Sequence, residues 1–167
     1  MPRQISFSAP LAAPADTAYA AMVDAGYLRA RLRDLGGPGA ALLEHQADAD
    51  GARYRLRHGL DSAALPPIAQ RLVSGGDLVI ERTETVRRAG PGNYTGTVAV
   101  QVLGAPVTAS GASSLQDAAG GATFAVNASV TVRIPFFGGA IEPVIAEQVQ
   151  QLLAAETTFT AEWLRDH

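Results

Sequence analysis

The last thirty residues constrain this chain most. From Gly138 to His167 the apolar residues Ile141, Ile145, Val149, Leu152, Phe159 and Trp163 recur at steps of three, four or seven. That is the period of a helix burying one face. Glu142, Glu147, Gln148, Gln151 and Glu162 fall mostly on the other sides, Gly138 and Gly139 break the chain just before, and Pro143 is expected in the first turn. A helix this long needs a surface to cover, and the preceding residues supply one.

Arg3 to Ala9 alternates Ile5 and Phe7 with polar residues, as a half-buried strand does, and Pro10 and Pro14 end it. Pro14-Ala15-Asp16-Thr17 opens a helix whose apolar face includes Ala18, Tyr19, Met22 and Val23. Gly26 interrupts it, and Tyr27 to Leu35 is expected as a second helical piece around which Arg29, Arg31 and Arg33 fan. After the Gly36-Gly37-Pro38-Gly39 break, strands are expected over Ala40–Ala49 and Ala52–Leu60, joined at Asp50-Gly51. In the second of these Arg53, Arg55 and Arg57 point one way and Tyr54, Leu56 and His58 the other. Arginine favours solvent, so His58 is expected inward. Leu65–Val73 has a short helical pattern, stopped by Ser74-Gly75-Gly76. Strands then read over Asp77–Arg88, Tyr94–Leu103, Val107–Leu115 and Ala122–Ile134, with turns at Gly90–Asn93 and Ala119–Gly121. Strands joined by tight turns form an antiparallel sheet, and the closing helix covers one face, giving an α+β domain over residues 1–167.

Composition narrows the function classes. The chain has 167 residues, 47% hydrophobic and 17% charged, with no apolar run long enough to span a membrane and no signal-peptide pattern; a cytoplasmic protein is expected. Without cysteine there is no disulfide, thiolate nucleophile or Cys-based metal site. The net charge of −3 lacks the basic stripe that nucleic acid requires. All 13 basic residues are Arg, which reads as the codon bias of a GC-rich genome or, alternatively, as phosphate recognition. Nucleophile-elbow, phosphate-loop and dinucleotide motifs are missing, three scattered histidines have no ligand spacing, and neither a metal nor a cofactor is expected.

The opening strand, the helix pair beginning at Pro14 and the closing helix resemble the START-like superfamily, the helix-grip fold shared with birch-pollen-allergen proteins and polyketide cyclases (SRPBCC). Met1-Pro2-Arg3, Arg29-Ala30-Arg31-Leu32, the Gly36-Gly37 loop and Arg82-Thr83-Glu84-Thr85 resemble an actinobacterial family of unknown function within it. The resemblance implies a curved seven-stranded antiparallel sheet wrapped on the long C-terminal helix, with two short helices after the first strand. It also implies that the first strand pairs with the last, and that a cavity lies between sheet and helix.

The function expected is binding of a small hydrophobic or amphipathic molecule, lipid- or polyketide-like, by a monomer or homodimer. The alternatives are a cyclase or hydratase, with His58 and Glu84 as acid and base, and a co-chaperone-like interaction module with a filled core. The expected ligand-binding residues are Tyr54, His58, Arg82, Glu84, Tyr94, Gly96, Gly111, Phe124, Ala128, Phe159 and Trp163. Gly96, Ala109, Gly111 and Ala128 are small residues on inward rows, where they leave room. Arg82 and Glu84 are two charges in the apolar row of Leu78, Ile80 and Val86, set either to pair with each other, to pair with a ligand carboxylate inside the cavity, or to reach solvent through a twist or bulge.

Overall fold

Alternating and helical segments assemble into one sheet and one long helix. In chain order they are β1 (Arg3–Leu11), α1 (Ala15–Met22), α2 (Ala25–Leu35), β2 (Ala41–Ala47) and β3 (Gly51–Asp61), followed by a 3-10 turn over Ser62–Ala64 and α3 (Pro67–Gln70). Then come β4 (Asp77–Gly90), β5 (Asn93–Leu103), β6 (Val107–Ala118), β7 (Gly121–Val132) and α4 (Gly138–Asp166). The computed structural model describes residues 2–71, 76–136 and 138–167. The C-terminal part of the helix expected over Leu65–Val73, and the break at Ser74-Gly75, lie outside them.

The sheet order is β1-β7-β6-β5-β4-β3-β2, antiparallel throughout, so the first strand does pair with the last. Hairpins run from β2 to β7 in sequence, and the helix pair after β1 carries the chain from one sheet edge to the other. β1 runs two residues further than expected, through Pro10 opposite Thr123. Proline is tolerated there because β1 is an edge strand and need not donate a second ladder bond.

Apolar side chains gather in three connected regions. Tyr19, Tyr27, Leu28 and Leu32 of the helix pair meet Tyr54, Leu56, Tyr94 and Leu115 of the sheet. Ile5, Val126, Ala128 and Val130 lie beneath Ala146 and Leu153 of α4, and Val107 and Val132 beneath Ile141.

The face that α4 buries is offset from the expected stripe. Ile141, Glu142, Ala146, Leu153, Glu156 and Thr160 are buried, whereas Ile145, Val149, Leu152, Phe159 and Trp163 are only partly covered. Glu142, expected on an outer side, instead accepts a hydrogen bond from the Val132 amide at 2.9 Å. Pro143 sits beyond the first turn of a helix that begins at Gly138, and so removes one internal backbone bond. Trp163 is half-buried: the last turns of α4 pack on α2, where the indole meets the Tyr27 ring edge-on at 5.6 Å and stacks on His167 at 3.8 Å. No described helix is long and apolar enough to cross a membrane.

Candidate functional site

Three elements deliver charge to the space beneath α4. The alternation of β4 turns Arg82 and Glu84 inward, facing Leu56 and Tyr54 on β3 in register. Asp24 caps α2 by accepting from the Tyr27 amide at 3.0 Å. The other end of α2 is fastened to β3, where the Gly59 amide donates to the Gly36 carbonyl at 2.8 Å. The backbones touch so closely that a Cβ on Gly37 would collide with the Gly59 carbonyl, and one on Gly59 with the Pro38 carbonyl. Only glycine permits this approach. It holds α2 across the end of the sheet with Arg31 inward, 5% exposed. Glu156 comes from α4 and is likewise 5% exposed.

These groups form an ion network. Arg82 Nη1 donates to both Glu156 oxygens at 3.0 and 2.9 Å. Arg82 Nε lies 3.0 Å from Glu84 Oε2, a charge contact without hydrogen-bond alignment. Arg31 Nε stands 3.6 Å from Glu156 Oε2. Two guanidiniums face two carboxylates, so the network is electrically balanced. Burial disfavours the Glu156 carboxylate, but Arg31 and Arg82 outweigh it and hold the group below the usual range. Burial likewise opposes both guanidinium charges, and Glu156 together with Glu84 and the neighbouring tyrosines outweighs it, raising both. His58 is buried beside this network with Nε2 unpartnered. Burial, reinforced by repulsion from Arg82, lowers its pKa to about 4 and keeps the imidazole neutral. Burial and then Glu84 push the Tyr54 phenol up. The Tyr27 hydroxyl bonds Thr160 Oγ1 at 2.5 Å, which itself donates to the Glu156 carbonyl at 2.8 Å.

Two small cavities adjoin the network. One, of about 20 Å³, is lined by Leu11, Met22, Arg31, Arg82, Phe124, Leu153, Glu156, Thr157 and Thr160. The other, of about 40 Å³, lies between α1 and the sheet, and its walls include Tyr19, Met22, Tyr54, Glu84, Tyr94, Ser113, Leu115 and Phe124. Met22 and Phe124 belong to both walls. Of the residues expected from sequence, Tyr54, Arg82, Glu84, Tyr94 and Phe124 line one or both of these cavities. His58, Gly96, Gly111, Ala128, Phe159 and Trp163 line neither. Ala128 packs with Ile5 and Val130. A Cβ on Gly96 would meet the Thr85 carbonyl at 2.5 Å and Ser113 Oγ at 2.6 Å, and one on Gly111 would meet Ala128 Cα at 2.6 Å. These glycines therefore admit neighbouring atoms rather than leave room.

Sequence reasoning missed Arg31 as an inward group and Glu156 altogether. A signal was present: Glu156 lies three residues after Leu153 and four before Thr160, on a second stripe adjacent to the apolar one. Counting apolar residues passes over that stripe because it carries a carboxylate. Among the described residues no group of His, Cys, Asp and Glu side chains has the arrangement of a metal site.

A family model described as a protein of unknown function, DUF2505, matches residues 6–164. The chain belongs to this family. The DUF2505 chain is 29% identical over 174 residues to the uncharacterised protein Rv0481c of Mycobacterium tuberculosis, covering 100% of this chain and 99% of that protein. TTHA0849 from Thermus thermophilus matches its fold with a TM-score of 0.62 at 11% identity, over 98% of both chains. Ara h 8.0201 matches with a TM-score of 0.55 at 10% identity over 100% of both. A START superfamily protein from Mycobacterium smegmatis gives 0.50 at 14%, over 98% of this chain and 97% of that one. The DUF2505 chain thus has the START-like, birch-pollen-allergen-like fold expected from its sequence.

Proposed function

We propose that this domain binds a small amphipathic molecule between the sheet and its covering helices α1 and α4, its apolar body against Tyr19, Tyr54, Tyr94 and Leu115 under α1 and its polar end at the Arg31–Glu156–Arg82 network under α4. The observation that carries the reading is the shared wall: Met22 and Phe124 line both cavities, so moving these two side chains joins an apolar chamber to a charged one. The cavities of about 20 and 40 Å³ hold no drug-sized molecule as they stand. Binding therefore requires the side chains of α1 and β7 to give way, a shift between closed and open states.

The narrowness of the same cavities favours a second reading, an interaction module with a filled core. The cyclase-like alternative is the weaker one, because His58 lies outside both cavity walls and Glu84 is held by Arg82. Mass spectrometry of an organic extract of the purified chain decides between the first two. A stoichiometric small amphipathic molecule, lost in Phe124→Trp, supports binding. An empty extract, with no uptake of 1-decanol by the wild type at millimolar concentration, leaves the filled-core module as the better account.

A further inference from the structure

The ion network spends its carboxylates unevenly. Both oxygens of Glu156 accept from Arg82 Nη1, and Glu84 contacts Arg82 Nε. Arg31 is left with a charge partner but without hydrogen bonds at two of its nitrogens: Nε and Nη2 are fully buried and unpartnered. A guanidinium is all donor, and a buried donor without an acceptor is costly. Arg31 lines the smaller cavity. The hydroxyls there are already committed, Thr157 donating to the Leu153 carbonyl at 2.8 Å and Thr160 to that of Glu156. Arg82 Nε and Glu84 Oε2 also lack hydrogen bonds but face each other at 3.0 Å, and His58 lines neither cavity, so what remains for an occupant is the pair of Arg31 donors.

Charge decides which acceptor fits. Arg31 and Arg82 are matched one for one by Glu84 and Glu156; Arg31, Arg82 and Glu156 are buried and Glu84 partly so. A neutral oxygen satisfies the Arg31 donors and keeps the balance. A carboxylate or phosphate satisfies them too, but leaves one uncompensated negative charge in a desolvated place, beside two carboxylates already there. Resting on the ligand-binding reading above, we propose that Arg31 is the specificity-determining residue of the site, and that it selects ligands whose polar end is an uncharged oxygen acceptor, a hydroxyl or carbonyl, over acids of the same length.

The test uses the full chain and four ten-carbon probes: 1-decanol, 2-decanone, decanoate and decane. Affinities come from calorimetry, and the Arg31 Nε–H resonance from nitrogen-15 NMR. The expected result is that decanol and decanone bind about tenfold or more tighter than decane and decanoate, as hydrogen bonds to a charged donor allow. Both should move the Arg31 Nε–H signal, which decane leaves in place. In Arg31→Met the oxygen preference should shrink to within about threefold. The NMR arm needs no variant, so it still decides if Arg31→Met does not fold. Tightest binding of decanoate, or an unmoved Arg31 signal on decanol binding, overturns the assignment while leaving the ligand-binding reading in place. Binding of none of the four overturns both.

Discussion

Arg82 and Glu156 lie 74 residues apart in the chain, yet Arg82 Nη1 reaches both oxygens of the Glu156 carboxylate, at 3.0 and 2.9 Å. The bond ties the sheet to the closing helix, with both side chains buried. It also neutralises a charge that neither element could bury alone.

Breaking that pair should be expensive. Glu156→Ala leaves two buried guanidiniums to share the single carboxylate of Glu84 and should lower unfolding free energy by about 3–5 kcal/mol. In Glu156→Leu combined with Arg82→Met, Arg31 and Glu84 remain as a balanced pair, so the double variant should lose less than Glu156→Ala. Urea denaturation of the three proteins at pH 7 measures this. A Glu156→Ala protein as stable as the wild type would mean that the helix does not close over Arg82.

Acid should weaken the fold before any carboxylate titrates in the unfolded chain. The unfolded His58 imidazole takes a proton near pH 6.5, the folded one only near pH 4, so the unfolded state binds more protons in between. His58 thus costs nothing above about pH 6.5 and about 3 kcal/mol by pH 4, at roughly 1.4 kcal/mol per pH unit. Glu156, whose folded value is lowered, adds a loss that begins below the unfolded carboxylate value and continues through the folded one. Urea midpoints between pH 7 and 4.5 should fall steadily in the wild type and more gently in His58→Gln. Equal slopes would mean that His58 is solvated in the folded state.

Ala128 probes where the room is. It packs with Ile5, Val126 and Val130 beneath Ala146 and Leu153, and lines neither cavity. Ala128→Leu is therefore overpacking, with an expected cost of about 1–3 kcal/mol by chemical denaturation. Decanol affinity should stay within about threefold of the wild type. A stabilised Ala128→Leu protein would reveal space under α4 at that point.

Trp163 should behave as a half-covered aromatic. Fully buried aromatics cost about 3–5 kcal/mol on truncation, so Trp163→Ala should cost about half as much, roughly 2 kcal/mol. Its fluorescence should be partly quenched by iodide, less than a free indole and more than a core one. Complete protection would place α4 deeper on α2 than the structure has it.

Alternation and turn chemistry were enough to read seven strands, two early helices and a long closing helix from the sequence, because period and punctuation are local properties of the chain. The inward direction of His58 follows from alternation, and alternation sets Arg82 and Glu84 in the row of Leu78, Ile80 and Val86, but that these two charges stay inward rather than twist to solvent was decided by the structure. Pairing of β1 with β7 was legible only through the family resemblance. The sequence did not determine which stripe of α4 is buried. Leu152 and Leu153 are adjacent, two stripes compete, and the one that wins carries Glu142 and Glu156. Glu142 goes inward to the Val132 amide, and Glu156 goes inward because cations wait there, on α2 and β4, far away in the chain. The room beneath Gly96 and Gly111 was likewise decided by neighbouring strands, whose atoms fill it. Burial of charge and the size of a cavity depend on what other segments bring to the same place, and only the tertiary structure brings them there.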